Sequence, residues 1–190
     1  MNILGISGTP KKGGFTDRLL ESALSGARSA GGITEKVVLN DLAFKPCQEC
    51  GGCDETGICV LDDDMRKLYA KLAQADAIIV ASPIFFGTLS AQLKMMVDRL
   101  QSVWVAKYIL KKEPSGPRRR KGLFLCAGGK ETQDYFENAK KIVRILFATL
   151  DTDYGGELFF SGLNEKSKDA KAVEEMLSKA FILGASLVKV

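Results

Sequence analysis

An open parallel β-sheet covered by helices on both faces is the fold class this sequence predicts, and three observations predict it. Segments with strand and helix character alternate along the chain, joined by short connections. One of them, Ala77-Ile78-Ile79-Val80-Ala81, is apolar without alternation, as a strand buried on both faces requires. With 190 residues, 46% of them hydrophobic, the chain is long enough for one well-packed domain over residues 1–190 and too short to presume two.

The elements follow in order. Strands are expected over Ile3 to Ser7, Glu35 to Asn40, Ala77 to Ser82 and Gly122 to Cys126, with a weaker one near Tyr154 to Phe160. Helices are expected over Thr16 to Ala30, Asp63 to Ala73, Leu89 to Ser102, Thr132 to Leu150 and from Lys168 onward. In the third helix Leu89, Leu93, Met96, Val97 and Leu100 form one stripe at helical spacing. Asp62-Asp63-Asp64 starts the second, where carboxylates favour free amides and the helix dipole. Two connections are long: a cysteine-rich loop over 43–62 and a basic loop over 104–121. The basic loop carries Lys107, Lys111, Lys112, Arg118, Arg119, Arg120 and Lys121 against Glu113, around a Pro114-Ser115-Gly116-Pro117 core. Its plain reading is a solvated face; the sharper one is a landing site for an acidic or phosphorylated ligand.

Composition excludes several classes. Lys plus Arg number 27 against 23 Asp plus Glu, too slight an excess for a nucleic-acid binder. The longest apolar runs have strand length, so no membrane span is expected. Strand character begins at Asn2 with no basic-then-apolar leader before it, and the cytoplasm is the expected compartment.

Cys47, Cys50, Cys53 and Cys59 crowd into C-x2-C-x2-C-x5-C in a chain without histidine. Crowding of this kind favours a metal–thiolate centre over a disulfide framework. Ferredoxins use a similar C-x2-C-x2-C core, zinc accepts four thiolates, and reduced free thiols are the third reading. The fifth cysteine, Cys126, reads as a small buried residue at a strand end.

In sheets of this class ligands bind beyond the C-terminal strand ends, at the switch in strand order. After the first strand, Ser7-Gly8-Thr9-Pro10-Lys11-Lys12-Gly13-Gly14-Phe15-Thr16 leads into a helix, and its hydroxyls, lysines and amides suit a phosphate. It is not a P-loop, because Gly14 and Phe15 stand where Lys and Ser/Thr are required. After the third strand, Pro83-Ile84-Phe85-Phe86-Gly87-Thr88 offers an apolar wall with backbone amides for a planar ring. After the fourth, Ala127-Gly128-Gly129 permits close backbone approach. A mononucleotide with a large flat ring fits this edge, and FMN answers that description.

These segments resemble the iron–sulfur flavoproteins, a branch of the flavodoxin-like NADPH-dependent FMN reductases. The resemblance runs through Ser7-Gly8-Thr9-Pro10-Lys11…Thr16, Pro46-Cys47 to Cys59, Asp63-Asp64-Met65 and Ser82-Pro83 through Leu93-Lys94…Asp98-Arg99. It implies a flavodoxin-like three-layer sandwich with a five-stranded parallel sheet in the order 2-1-3-4-5. It implies that Ser7, Thr9, Pro10, Lys11, Gly14, Phe15 and Thr16 hold the FMN phosphate. Pro83, Ile84, Phe85, Phe86, Gly87 and Thr88, with Ala127, Gly128 and Gly129, would then lie along the ring. Cys47, Cys50, Cys53 and Cys59 would carry a [4Fe–4S] cluster near the interface of a homodimer or homotetramer. The chain departs at two positions: Lys11 replaces a fork-shaped Arg by a point charge, and Phe15 replaces a polar Asn.

The expected role is redox. FMN would exchange electrons with the cluster and pass them to a small acceptor or to a ferredoxin-like partner, with NAD(P)H as a possible reductant; neither nucleic acid nor membrane is a partner. No side chain is assigned to catalysis, since the cofactors carry the chemistry. Two alternatives stand beside this reading: an NAD(P)H-dependent FMN or quinone reductase without a functional cluster, and a zinc-stabilised, non-enzymatic binding module.

Overall fold

A computed structural model describes residues 1–113, 120–129, 133–166 and 169–188. Its elements are β1 (Asn2–Ser7), α1 (Phe15–Ser29), β2 (Ile33–Val38), a 3-10 turn (Leu39–Asp41), α2 (Met65–Gln74), β3 (Ala77–Phe85) and β4 (Thr88–Leu89). There follow α3 (Ala91–Arg99), α4 (Gln101–Trp104), a π-helical turn (Val105–Ile109), β5 (Arg120–Ala127), α5 (Gln133–Thr149), β6 (Thr152–Phe160), α6 (Leu163–Lys166) and α7 (Ala170–Val188). Strands pair as β2-β1-β3-β5-β6, all parallel, with β4 hydrogen-bonded to β3 in antiparallel sense. Counting only the parallel strands, this is the expected flavodoxin-like order.

The apolar residues of the central strands divide between two cores, which is why those strands show no alternation. Leu4, Ile6, Ile78, Val80, Phe124 and Cys126 face one core with Leu68, Leu93, Met96 and Phe136 from α2, α3 and α5. Ile3, Ile79, Ala81, Leu123 and Leu125 face the other, against Leu20 and Leu24 of α1 and Ala180 and Leu187 of α7. Helices α1 and α7 touch backbone to backbone. A Cβ at Gly26 would stand 1.9 Å from the Phe181 carbonyl oxygen, and one at Gly184 would stand 1.8 Å from that of Ala23.

Three expectations need correction. The segment after the third strand is a hairpin rather than a loop. β3 continues through Phe85 and returns as β4, with Ile84 opposite Leu89 and Phe85 opposite Thr88. The two turn residues, Phe86 and Gly87, take φ of +47° and +80°, which makes the tight reversal that matches strand twist. The basic loop is shorter than 104–121. The helical chain runs on through Ile109, because no breaker intervenes before Pro114, and Arg120 and Lys121 belong to β5. Arg120 leaves the solvated face altogether: it is buried and donates to the carbonyl oxygens of Leu72 (2.6 Å) and Leu150. Residues 114–119, the centre of that loop, lie outside the described residues. The second strand starts at Ile33 and ends at Val38, since Leu39 turns inward into the core.

Candidate active site

The C-terminal strand ends assemble one cleft, and the cysteine loop lines a second toward the other end of α5. At the first strand end, the backbone of Gly8 is tied to its neighbours. Its amide donates to the Ala81 carbonyl oxygen (2.8 Å), and its own carbonyl accepts the Ser90 hydroxyl. The Ser90 amide in turn donates to Ser82 Oγ (3.1 Å), so hydroxyls from β3 and the start of α3 hold the turn in place. A side chain at Gly8 would press on Leu93 Cβ at 2.9 Å and Ala81 O at 3.0 Å, so only glycine fits here.

Beyond Gly8 the chain makes a compact turn. Thr9 Oγ1 accepts from the Lys11 amide (3.2 Å), the Gly14 amide donates to the Lys11 carbonyl (3.2 Å), and Gly13 takes φ +69°. Gly14 is the extended residue that precedes α1 and makes no side-chain cap, so the first amides of α1 open onto this turn. Lys11 and Pro10 are exposed, and Thr9 and Thr16 are buried. Ser7 is fully buried and donates its hydroxyl to Asp17 Oδ1 at 3.1 Å. Phe15 is half-buried and packs on Phe160, with ring centroids 4.6 Å apart. Its ring thereby joins the apolar layer between the sheet and helices α1 and α7.

The hairpin and the glycine turn face each other across a cleft of about 570 Å³, lined by Ile84, Phe86, Gly87, Gly128, Gly129, Tyr135 and Phe136. Phe86 is fully exposed at the hairpin tip and Phe85 is 45% exposed. Gly128 is fixed by donating its amide to the Phe160 carbonyl (2.8 Å) and accepting from the Leu163 amide (3.0 Å). A Cβ at Gly129 would meet the Asn164 amide group at 3.0 Å. Beside the hairpin turn, Thr88 Oγ1 is buried and has no hydrogen-bond partner among the described residues. Sequence reasoning missed Tyr135, Asn138 and Asn164. Tyr135 sits against Gly87, and Asn138 Nδ2 donates to the Gly87 carbonyl (3.4 Å), yet in the sequence both read as ordinary exposed positions of an amphipathic helix.

The second cleft, about 670 Å³, is lined by all four crowded cysteines together with Arg99, Gln101, Trp104, Ile145 and Leu146. Cys47 and Cys50 are exposed, Cys53 and Cys59 are half-buried, and every one is a free thiol. Burial and the neighbouring Asp54 charge push the Cys53 thiol up. Among the described residues no three acidic or cysteine side chains form a group able to hold a single ion. Four thiolates around one zinc at about 2.3 Å would lie within about 4 Å of one another. Four cysteine thiols are a donor set that either a single zinc ion or an iron–sulfur cluster accepts.

The base of the cysteine loop is stapled by the acids that precede α2. Asp63 accepts from the amides of Lys45 (3.2 Å) and Met65 (3.1 Å), and Asp64 accepts from that of Ala43 (2.9 Å). Their role is therefore wider than helix capping. Asp63 also pairs with Arg99 in a two-pronged contact, Nη1–Oδ2 at 2.6 Å and Nη2–Oδ1 at 3.2 Å. The Arg99 side chain is fully buried, and its Nη2 lies 3.4 Å from Cys59 Sγ. Burial works against the Asp63 carboxylate, but Arg99 and the two amides outweigh it and hold the carboxyl below its usual value of 3.8. Arg99 was visible in the sequence only as part of Asp98-Arg99; nothing there announced that it reaches a cysteine 40 residues earlier.

Residues 1–150 match the family described as NADPH-dependent FMN reductase. The chain belongs to that family. The non-enzymatic zinc module is thereby set aside. Over 129 residues the chain is 36% identical to an iron–sulfur flavoprotein of Methanosarcina thermophila, covering 68% of this chain and 64% of that one. Over 99 residues it is 42% identical to an iron–sulfur flavoprotein of Methanocaldococcus jannaschii, covering 52% and 51%. The chain thus aligns with about half to two-thirds of these relatives' lengths. A solved flavone reductase superposes with a TM-score of 0.74 at 20% identity, over 100% of this chain and 62% of that one, which is a likeness of fold.

Proposed function

We propose that this chain is an FMN-dependent oxidoreductase whose four crowded cysteines hold a [4Fe–4S] cluster, with electrons passing between the two centres. One observation carries the reading: in a chain of the FMN reductase family, Cys47, Cys50, Cys53 and Cys59 line one cleft as free thiols. The relatives named iron–sulfur flavoproteins support it. FMN when bound takes up two electrons as hydride and gives them up singly, and the cluster takes one at a time.

The protein's part is to bind and orient. The turn from Thr9 to Thr16 offers amides and the Lys11 ammonium to the phosphate, with Gly14 and the start of α1 behind it. The hairpin from Pro83 to Thr88 and the turn from Ala127 to Gly129 offer apolar surface and backbone donors to the ring. The open side of the cleft, beside Phe86 and Tyr135, leaves room for NAD(P)H or a small acceptor. At the second centre, the buried Arg99 cation faces Cys59 and offsets the negative charge of a thiolate-bound cluster.

The two clefts lie toward opposite ends of α5. Phe136 lines the first and Leu146 the second, a separation of roughly 15 Å along the helix axis. Electron transfer falls off steeply with distance, so the reading includes a homodimer or homotetramer in which one subunit's cysteine cleft approaches its neighbour's flavin. Exposed Val60, Trp104 and Ile145 give the cysteine cleft an apolar rim suited to such a contact.

The test is to purify the protein without air and to quantify FMN, iron, acid-labile sulfide and zinc on one sample. About four irons and one FMN per chain are expected, and Cys47→Ala is expected to remove the iron and keep the FMN. FMN without iron would leave a simple NAD(P)H-dependent flavin reductase, and iron retained in the variant would overturn the ligand assignment.

A further inference from the structure

A buried acid sits inside the cradle assigned to the phosphate. Asp17, the third residue of α1, is 7% exposed. Its Oδ1 accepts from Ser7 Oγ (3.1 Å) and its Oδ2 from the Gly13 amide (3.0 Å), so it holds both ends of the loop, including the turn residue at φ +69°. A negative charge here would oppose a phosphate dianion. It is met by Lys36, whose ammonium reaches across from β2 to Asp17 Oδ1 at 2.8 Å. Lys36 also touches Glu21 (3.3 Å), and Glu21 is paired with Arg28 (3.2 Å), so the four charges balance. Burial disfavours the Asp17 carboxylate, but the bonds from Lys36, Gly13 and Ser7 outweigh it and keep the acid ionised.

We infer that Asp17 and Lys36 are positioning residues acting as a pair: Asp17 fixes the loop around Gly13, and Lys36 cancels its charge so that the loop prefers FMN to unphosphorylated riboflavin. The inference rests on the reading that this loop takes the phosphate. It makes the loop's selectivity depend on a lysine that lies outside the motif, on the neighbouring strand.

The experiment titrates flavin-free protein with FMN and with riboflavin by fluorescence, giving the ratio of the two affinities for each variant. Lys36→Gln is expected to lower the FMN-over-riboflavin ratio about tenfold by exposing the Asp17 charge, less so at high salt, with riboflavin affinity unchanged. Adding Asp17→Asn to Lys36→Gln restores neutrality and is expected to recover most of the ratio. Lys36→Arg keeps the charge and is expected to keep the ratio. A ratio unchanged in Lys36→Gln, or no recovery in the double variant, overturns the inference. Lys11→Glu separates the two levels. If it lowers the ratio while Lys36→Gln does not, the pairing alone fails; if neither moves it, the phosphate lies elsewhere and both readings fall.

Discussion

Asp63→Asn tests the device that holds the cysteine loop against α3. The change removes the charge that faces the Arg99 guanidinium, whose side chain is fully buried while that of Asp63 is 13% exposed. Breaking a buried pair by deleting one partner costs about 3–5 kcal/mol, because the surviving charge stays in low dielectric. Since Asp63 keeps some contact with solvent and Asn retains one carbonyl acceptor, the lower end, about 3 kcal/mol, is expected. For a chain of this length that corresponds to a Tm lower by roughly 6–12 °C. The acid limb gives a second reading. The folded-state pKa of Asp63 lies below 3.8, so its contribution is fully present above that value and is lost as pH falls through the folded pKa. The gap between wild type and Asp63→Asn should therefore be widest near neutrality and close below about pH 4. Urea unfolding followed by circular dichroism from pH 2 to 7 measures both. A loss under about 1 kcal/mol, or a gap that does not narrow in acid, would place Arg99–Asp63 with ordinary surface pairs and refute the argument.

Other changes probe the hairpin cleft, the helix crossing and the turn before α1. Phe86→Ser should weaken FMN binding about tenfold, by removing apolar surface from the ring's wall, while stability changes by less than about 0.5 kcal/mol, because the side chain is fully exposed in the free protein; flavin titration beside thermal unfolding separates the two. Gly26→Ala should cost at least about 2 kcal/mol by forcing α1 from α7, read by denaturant unfolding, and a neutral result would mean that the backbone approach at Phe181 is not tight. Thr9→Asp with Lys11→Glu should weaken FMN and leave riboflavin untouched, since both place negative charge against the phosphate alone.

The sheet was legible because its signal is local. A strand buried on both faces must be apolar throughout, and Ile78 to Val80 could be nothing else once Asp76 and Ser82 bounded them. The turn after β1 was legible for the same reason: its glycines, its hydroxyls and the helix that follows are contiguous. What the sequence hid depends on long-range meetings. Arg99 reads as one charge on an amphipathic helix, and only the packing of α3 beneath the cysteine loop brings it to Cys59 and Asp63. Lys36 reads as the polar face of an edge strand until β2 pairs with β1 and carries it to Asp17. The hairpin at Phe86 and Gly87 was hidden by composition, since a phenylalanine at positive φ is not a turn signal. Arg120 was misplaced among solvated cations because its neighbours are basic, whereas the first residue of β5 turns inward onto two helix-terminal carbonyls.

The central claim is that two redox centres share this chain, and electron counting tests it most directly. Protein purified and handled without air is titrated with dithionite, with uptake followed by visible absorbance and electron paramagnetic resonance. About three electron equivalents per chain are expected, two for FMN and one for the cluster, with a reduced-cluster signal that Cys50→Ala abolishes. Uptake of about two equivalents, with no iron signal in the wild type, would leave flavin alone and contradict the account.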